Sequence, residues 1–328
     1  MKKNNTAAAE KFAKIMIAKM EEMKGQMWER KWFTPNGRKN FYPQNFSGRR
    51  YESGNALFLL FCCEENNYQT PLFLTFKQCQ NEKISVKKGE GAFPIYFRTY
   101  TAYHNENNTK ITFEEFMELD EKEKENYRLK AFVNCYNVFN LDQTNFSEKY
   151  PEKWATILAN YREEEKTLKI ENYFQCEVID EMLHRNSWVC EIELIMQKRA
   201  YYNRRLDKIS MPPKIVFPKR ADFYSVLLHE MAHSTGEENR LGRKFGAIFG
   251  DVDYAREEVV AELTAAFTGL QLGVAVEPQK ESAVYLNSWT ERLRKNPEYI
   301  FSVVDDVVKA SNYILKNLEV EQMERVAV

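Results

Sequence analysis

The most informative segment for chemistry is His229–His233, which reads HEMAH and contains two of the four His among 328 residues. Residues four apart on an α-helix lie on the same face, so both imidazoles can bind one metal ion. Glu230 lies to the side of that pair, where it can take a proton from a water activated by the metal. Zinc peptidases use this pattern, and the segment therefore predicts a zinc site with Glu230 as the general base.

The residues before this motif predict that it lies in a buried helix. Residues 221–228 form a largely apolar run, Asp222 is a favourable N-cap, and Gly236 is typical of a helix end. The alternative is a surface helix with two solvated His. Because the run is apolar, we expect a buried helix that begins at Asp222 and ends near Gly236.

A catalytic zinc needs a third protein ligand, and the best candidate is Glu258. It belongs to segment 254–270, whose small residues predict a helix that can approach a neighbour closely. Glu262 follows one turn later on the same face, so we expect it to accept a hydrogen bond from a ligand imidazole. The alternative ligand is Glu257, the residue before Glu258, which helical phase favours as a solvated charge. The HExxH motif followed by this acidic helix resembles the gluzincin class of metallopeptidases.

Peptide hydrolysis also needs a hydrogen-bond donor for the developing oxyanion. Tyr201 and Tyr254 are the candidates, chosen for their predicted proximity to the cleft. Tyr201 lies in segment 200–212, which is typical of a β-hairpin with Asn203 and Asp207 near its turn. A strand beside a metal cleft can hold an extended peptide by edge pairing.

The net charge of −1 hides an asymmetry between the two parts of the chain. Residues 1–110 contain 18 Lys and Arg against 10 Asp and Glu, whereas residues 111–328 contain 29 against 38. Basic residues interleaved with aromatic ones are typical of surfaces that bind single-stranded nucleic acid. For each aromatic the alternative is core packing, and for the lysines it is a solvated turn. The candidates for contact with nucleic acid in this part are Trp28, Trp32, Arg49, Arg50, Tyr51, Lys87 and Lys88.

Composition predicts a folded protein of about two domains. The 44% hydrophobic and 14% aromatic content argues against disorder. No apolar run approaches the roughly 18 residues of a membrane span, and residues 1–24 lack the apolar core of a secretory signal. Six Cys without a CxxC pair indicate reduced thiols, so we expect a cytoplasmic location.

Periodicity and capping patterns predict the elements that position these residues. The expected helices are 7–24, 55–66, one starting within 73–80, a linking helix 151–169, 282–294 and 298–318. The expected strands are 92–102 and 130–139, separated by an acidic excursion with a capping box at 112–115.

Several motifs in order resemble the ArdC-type antirestriction proteins. In the N-terminal half the resemblance rests on Trp28, Trp32 and segments 45–55, 74–78, 86–90 and 136–144. In the C-terminal half it rests on 200–202, 229–236, 240–241, 257–262 and the Trp289 helix. One departure is Ser234 and Glu237, where the family often has a bulky residue and a further His.

The resemblance implies a two-domain α+β fold with an N-terminal single-stranded-DNA-binding domain at 1–148, a linking helix at 149–171 and a zincin-like metallopeptidase domain at 172–328. It adds Asn55, Lys77 and Gln78 to the DNA-binding candidates. It also implies a bacterial protein of plasmids, phages or other mobile elements that acts on or around incoming single-stranded DNA.

Two functions follow from these patterns. The first is a single-stranded-DNA-binding antirestriction-type protein whose Zn²⁺ site cleaves peptide bonds, with a host protein as the substrate. The second is a DNA-binding antirestriction protein in which the metal only stabilises the fold. A third, weaker interpretation is a peptidase whose basic half binds a protein or RNA. HExxH spacing favours an open catalytic zinc, but spacing does not demonstrate turnover.

Overall fold

The computed structural model describes residues 41–161, 175–246, 252–274, 276 and 283–318, together with residues 10, 12–15, 17, 18 and 21. The helix predicted at 7–24 is described at only a few helical positions, and Trp28 and Trp32 lie outside the described residues. Across the described part of the chain, no helix combines the length and apolar character needed to cross a bilayer.

The N-terminal part contains a five-stranded sheet and several helices. The strands are β1 (Gln44–Asn45), β2 (Leu72–Thr75), β3 (Phe93–His104), β4 (Lys110–Thr112) and β5 (Tyr127–Asn140), in the spatial order β1-β2-β5-β3-β4. The helices are α1 (Ser53–Glu65), α2 (Phe76–Asn81), α3 (Phe113–Glu118) and α4 (Glu121–Lys124). Strands β3 and β5 pair antiparallel over twelve consecutive residues and form a long arm.

Local sequence explains where the short helices begin. Thr75 and Gln78 form a reciprocal capping box at the start of α2, and Thr112 and Glu115 form another at the start of α3. The capping box at 112–115 is therefore confirmed. The helix expected within 73–80 starts only at Phe76, because the apolar residues before it form β2 beside β5.

The C-terminal part places a small sheet against a group of helices. After α5 (Phe146–Lys149) and α6 (Pro151–Ala159) come α7 (Glu177–Arg185), β6 (Glu191–Leu194), β7 (Tyr201–Asn203) and β8 (Lys208–Met211). The last four helices are α8 (Arg220–Ser234), α9 (Val252–Leu272), α10 (Ala283–Lys295) and α11 (Tyr299–Asn317). Strand β8 lies between β6 and β7, and β7 pairs with it antiparallel as the predicted hairpin. Asp207 adopts a positive φ of 46° at the turn.

The two parts of the chain share one hydrophobic core. Helix α11 packs on α1, and a Cβ added at Gly54 would lie 2.8 Å from Cγ1 of Val304. Tyr42 stacks on Phe267 of α9 with ring centroids 6.1 Å apart. The N-terminal part therefore packs directly against the helices that follow the HEMAH segment.

The helix that carries the motif starts earlier than expected. α8 begins at Arg220, and Asp222 lies in its first turn instead of serving as the N-cap. A carboxylate in the first turn still favours the helix through the helix dipole. α8 ends at Ser234, two residues before Gly236, and most of its residues are buried, as the apolar run predicts.

Candidate metal centre

Helices α8 and α9 bring His229, His233 and Glu258 together. The Nε2 atoms of His229 and His233 lie 3.0 Å apart. The Glu258 carboxylate has one oxygen 3.6 Å from Nε2 of His229 and the other 3.7 Å from Nε2 of His233. A tetrahedral ion with bonds of about 2.0–2.1 Å separates neighbouring ligand atoms by about 3.3 Å. The spacing and the donor set therefore fit a divalent metal such as zinc.

The surroundings of His229 are strongly negative. The residue is buried, which opposes protonation of its ring, but the carboxylates of Glu258, Glu262 and Glu230 outweigh burial and raise its pKa to about 10. The same site lowers the pKa of Glu258 to about 2, because nearby His residues and the Tyr254 hydroxyl outweigh the effect of burial. A pocket that stabilises positive charge to this extent favours a bound cation.

Glu262 lies where a ligand imidazole needs an acceptor. Its Oε1 is 3.7 Å from Nδ1 of His229, a buried atom that forms no direct hydrogen bond within the described residues. The other ring nitrogen of His229, Nε2, is the one nearer to Glu258, at 3.6 Å. This arrangement agrees with the helical phase that places Glu258 and Glu262 on one face.

Glu257 is not a solvated charge, contrary to the expectation from sequence. Its side chain is 3% exposed, and its Oε1 lies 3.3 Å from Nδ1 of His233. Burial alone would raise its pKa, but hydrogen bonds from Arg243 and His233 outweigh burial and lower it. Each of the two histidines thus has its own acidic neighbour on α9, Glu262 for His229 and Glu257 for His233.

Arg243 holds Glu257 in place, and sequence reasoning missed it. Its Nε donates to Oε2 of Glu257 at 2.9 Å, and its Nη2 donates to Oε1 at 2.7 Å. The remaining donors reach Oγ1 of Thr235 at 2.7 Å and the carbonyl of Ala232 at 2.8 Å. This buried fork therefore joins the end of α8 to the acidic face of α9.

The close return of the chain after α8 requires a glycine at position 236. A Cβ added there would lie 2.6 Å from the ring of Phe245 and 2.9 Å from Nη2 of Arg243. The ring of Phe245 is 6.5 Å from that of His233 and lies under the guanidinium of Arg204 at 4.6 Å. Gly236 therefore allows residues 243–245 to fold back beside the candidate metal site.

Glu230 is buried next to the ligands and is held by the backbone of β7. Its Oε2 accepts a hydrogen bond of 2.7 Å from the amide of Tyr202. The Tyr202 hydroxyl donates to Oδ1 of Asp207 at 2.6 Å, which fixes the strand at its turn. The hairpin therefore orients the carboxylate that we expect to act as general base.

The two tyrosines considered as oxyanion donors have different surroundings. Tyr201 is 46% exposed on β7, one residue from the contact with Glu230. The Tyr254 hydroxyl hydrogen-bonds to the Glu258 carboxylate. Tyr254 therefore contacts the candidate ligand Glu258 in this conformation, whereas the Tyr201 ring is open to solvent.

The predicted nucleic-acid contacts fall into two groups. Arg49, Arg50, Lys77, Lys87 and Lys88 are exposed. The guanidinium of Arg50 lies 5.2 Å from the centre of the Tyr42 ring, and Nζ of Lys87 donates to the carbonyl of Asp142 at 3.1 Å.

Three other candidates have structural contacts in this fold. Tyr51 is 8% exposed and packs edge-on against Phe73, so its ring is not available to stack on a base. Asn55 donates to the carbonyl of Tyr96 at 2.6 Å and accepts from its amide at 2.9 Å, so its amide group fixes β3. Gln78 caps α2. The expectation that the Tyr51 ring stacks on a base is therefore corrected, whereas Asn55 and Gln78 as DNA contacts stay predictions.

Two protein families match this chain, one over each part. Residues 6–139 match the N-terminal domain of the anti-restriction factor ArdC, and residues 177–306 match a zincin-like metallopeptidase. The two matches follow each other in the order that the fold shows. The chain has the ArdC-type architecture.

Solved structures give the same result for the fold. The antirestriction ArdC protein of plasmid R388 is 23% identical to this chain in both its metal-free and Mn(II)-bound structures. The metal-free structure gives a TM-score of 0.64, covering 96% of this chain and 97% of the other. The Mn(II)-bound structure gives 0.66, covering 97% and 99%. The ArdC-type fold thus extends over nearly the whole molecule.

Curated relatives include much longer proteins. Two Escherichia coli proteins named DNA primase TraC are 25% and 28% identical over 88% of this chain, which spans only 25% and 18% of their lengths. The uncharacterised protein y4eC of Sinorhizobium fredii is 28% identical over 82% of this chain and 78% of its own length.

Proposed function

We propose that this ArdC-type chain is a metal-dependent peptidase joined to a single-stranded-DNA-binding domain, with an antirestriction role in the bacterial cytoplasm. The single observation that carries the peptidase assignment is the convergence of His229, His233 and Glu258 beside the buried carboxylate of Glu230. For the domains we propose the ranges 1–148 and 172–328, with 149–171 between them. The gap between the two family matches supports this division.

His229, His233 and Glu258 would hold the ion, and Zn²⁺ suits a set of two imidazoles and one carboxylate best. When bound, such an ion polarises the scissile carbonyl and lowers the pKa of water. Glu262 and Glu257 orient the imidazoles through their Nδ1 atoms, which leaves the Nε2 atoms of both rings directed at the ion.

Glu230 takes the proton from the attacking water and passes it to the leaving amine. The Tyr202 amide keeps the Glu230 carboxylate in one orientation through this transfer. Tyr201 is the better of the two oxyanion donors, because Tyr254 is hydrogen-bonded to Glu258. An extended segment of a host protein would lie along β7, an edge strand of its sheet.

The decisive variant for this function is Glu230→Gln. It keeps the shape of the side chain and its contact with Tyr202 but removes the base, so bound zinc should stay at the wild-type level while peptide hydrolysis falls by at least about 100-fold. Glu238→Gln, an exposed neighbour after α8, is the matched control and should retain full activity. Cleavage is measured by a search for new protein N-termini in cells that express each variant. Wild-type hydrolysis by Glu230→Gln would reject Glu230 as the base.

A second function is supported by the position of the site between α8 and α9, since an ion there would tie two core helices together. In that case the metal stabilises a DNA-binding antirestriction protein and nothing is cleaved. The two functions differ in the response to Glu230→Gln. If wild type and variant protect incoming DNA equally and neither produces new N-termini, the structural role is correct.

A further inference from the structure

The arm formed by β3, β4 and β5 has one face that carries aromatic and basic side chains. The register of β3 and β5 is continuous from Phe93 opposite Val138 to His104 opposite Tyr127. Directly opposed residues in an antiparallel pair lie on the same face, and alternate residues along each strand share it. This register and the pairing of Tyr103 with Lys110 place six aromatic and basic residues on one side, together with other residues of the same strands. We call these six the open arm face: Phe97, Tyr103, Lys110, Arg128, Lys130 and Tyr136.

The two faces of the arm have different surroundings. On the opposite face, Tyr100 packs on Phe113 at 5.3 Å and Tyr127 on Phe116 at 6.3 Å, so α3 covers that side. On the open arm face, Phe97 is 37% and Tyr136 is 49% exposed, with their centroids 5.6 Å apart. The two rings meet edge-on at 73°. They remain exposed beyond the point where Phe93 and Ile95, on the same face, are buried in the core.

Charge on this face has a single sign. The sequences of β3, β4 and β5 contain no Asp or Glu. Lys110, Arg128 and Lys130 are all exposed, and Arg128 also donates a hydrogen bond to Asn108. From Phe97 to Tyr103 the strand rises by about 20 Å, which is room for several nucleotides. Cations along such a line match a phosphate backbone, while a docking site for another protein usually mixes both signs.

We propose that the open arm face binds single-stranded DNA, with bases stacked on Phe97 and Tyr136 and phosphates beside Lys110, Arg128 and Lys130. This inference rests on the proposed DNA-binding function and gives it a location. Stacking needs bases with free ring faces, which a duplex does not offer, so the two rings select single strands. It also accounts for DNA binding without the rings and amides of Tyr51 and Asn55, which the fold uses internally.

The test uses the full chain and fluorescence anisotropy with a labelled 20-nucleotide oligo-dT, its duplex with oligo-dA, and a range of salt concentrations. Replacing Phe97 and Tyr136 together by Leu removes both rings but keeps apolar side chains, and should weaken binding of the single strand at least about 10-fold. The same variant should leave the salt slope unchanged, because no charge is lost.

Neutralising Lys110, Arg128 and Lys130 to Gln should reduce the slope of log affinity against log salt by about 2, since each phosphate contact contributes about 0.7. The matched control neutralises three exposed lysines elsewhere, Lys153, Lys295 and Lys316, and should bind like wild type. Unchanged thermal unfolding and zinc content show that each variant is folded.

The outcomes separate the two levels of the inference. If wild type binds the single strand and both arm variants bind it equally well, the open arm face is not the site, although the DNA-binding function stands. If wild type prefers the duplex, stacking on the rings is refuted. If wild type binds neither DNA, the proposed function itself fails in this domain.

Discussion

Removing Arg243 should separate two roles of the buried fork, which are to stabilise the fold and to orient His233, a proposed metal ligand. Arg243→Met leaves the Glu257 carboxylate buried without its two hydrogen bonds from the guanidinium, at 2.9 and 2.7 Å. Breaking one partner of a buried ion pair costs about 3–5 kcal/mol of unfolding free energy. Two further bonds, to Thr235 and to the Ala232 carbonyl, are lost as well, so a value near the upper end is expected.

A second substitution, Glu257→Leu in the same chain, removes the stranded charge. Replacing a buried pair by apolar side chains is often neutral, so the double variant should recover most of the stability. It should still bind zinc about 10- to 100-fold more weakly than wild type, because Nδ1 of His233 has lost its acidic neighbour.

Urea unfolding of the metal-free proteins gives the stability, and titration with zinc against a competing chelator gives the affinity. A cost of less than about 1 kcal/mol for Arg243→Met alone would show that the fork does not stabilise the fold. Zinc binding by the double variant as tight as that of wild type would show that Glu257 has no effect on His233.

Three further predictions follow from single contacts. Gly236→Ala should destabilise the chain by about 1–3 kcal/mol in the same urea assay, because the added Cβ would lie 2.6 Å from the ring of Phe245. Gly91→Ala is the control and should have little effect, because no atom lies within 4 Å of its added Cβ. Asn55→Ala should cost about 1–3 kcal/mol of unfolding free energy by removing both bonds to the Tyr96 backbone, while its affinity for single-stranded DNA in the anisotropy titration stays the same. A large loss of that affinity without a loss of stability would identify Asn55 as a DNA contact. The metal-free protein should lose stability as pH falls from about 4.5 toward 2. The pKa of Glu258 is lowered to about 2 in the folded state, so its stabilising charge is lost through that window. In acid titrations followed by circular dichroism, a Glu258→Gln variant should lose less stability over the same range.

Helical phase predicted part of the ligand geometry. His229 and His233 are one turn apart, and helical phase places Glu258 and Glu262 on one face of α9. The small residues of 254–270 favoured a close approach to another helix, and the structure brings His229, His233 and Glu258 together. Their roles as ligands and supporting acceptor remain predictions. The zincin-like fold and the two-part order predicted from the motifs are confirmed by the family matches.

Contacts made by loop residues could not be predicted from helical periodicity. Helical phase predicts that Glu257 faces solvent. In the structure, the loop that turns back at Gly236 places Arg243 against its carboxylate. Helical periodicity does not predict the position of a loop residue. The sequence does carry one hint, because Gly236 comes just after the HEMAH helix and Arg243 follows seven residues later, a spacing that is compatible with such a return.

The N-terminal motifs show a different difficulty. Asn55 and Gln78 occur in segments that resemble the family, yet their side chains hold β3 and begin α2. Polar residues of this kind support the fold as easily as a ligand. Which rings of β3 and β5 lie side by side on one face depends instead on the register of the two strands, and the sequence of each strand alone does not specify that register.

X-ray absorption at the zinc edge of the loaded protein tests the central claim most directly. Two imidazole nitrogens and oxygen donors at about 2.0–2.1 Å are expected, with no sulfur, and Glu258→Ala should remove one oxygen donor and weaken zinc binding. Sulfur scattering from a cysteine, or a spectrum and affinity unchanged by Glu258→Ala, would contradict the site formed by His229, His233 and Glu258.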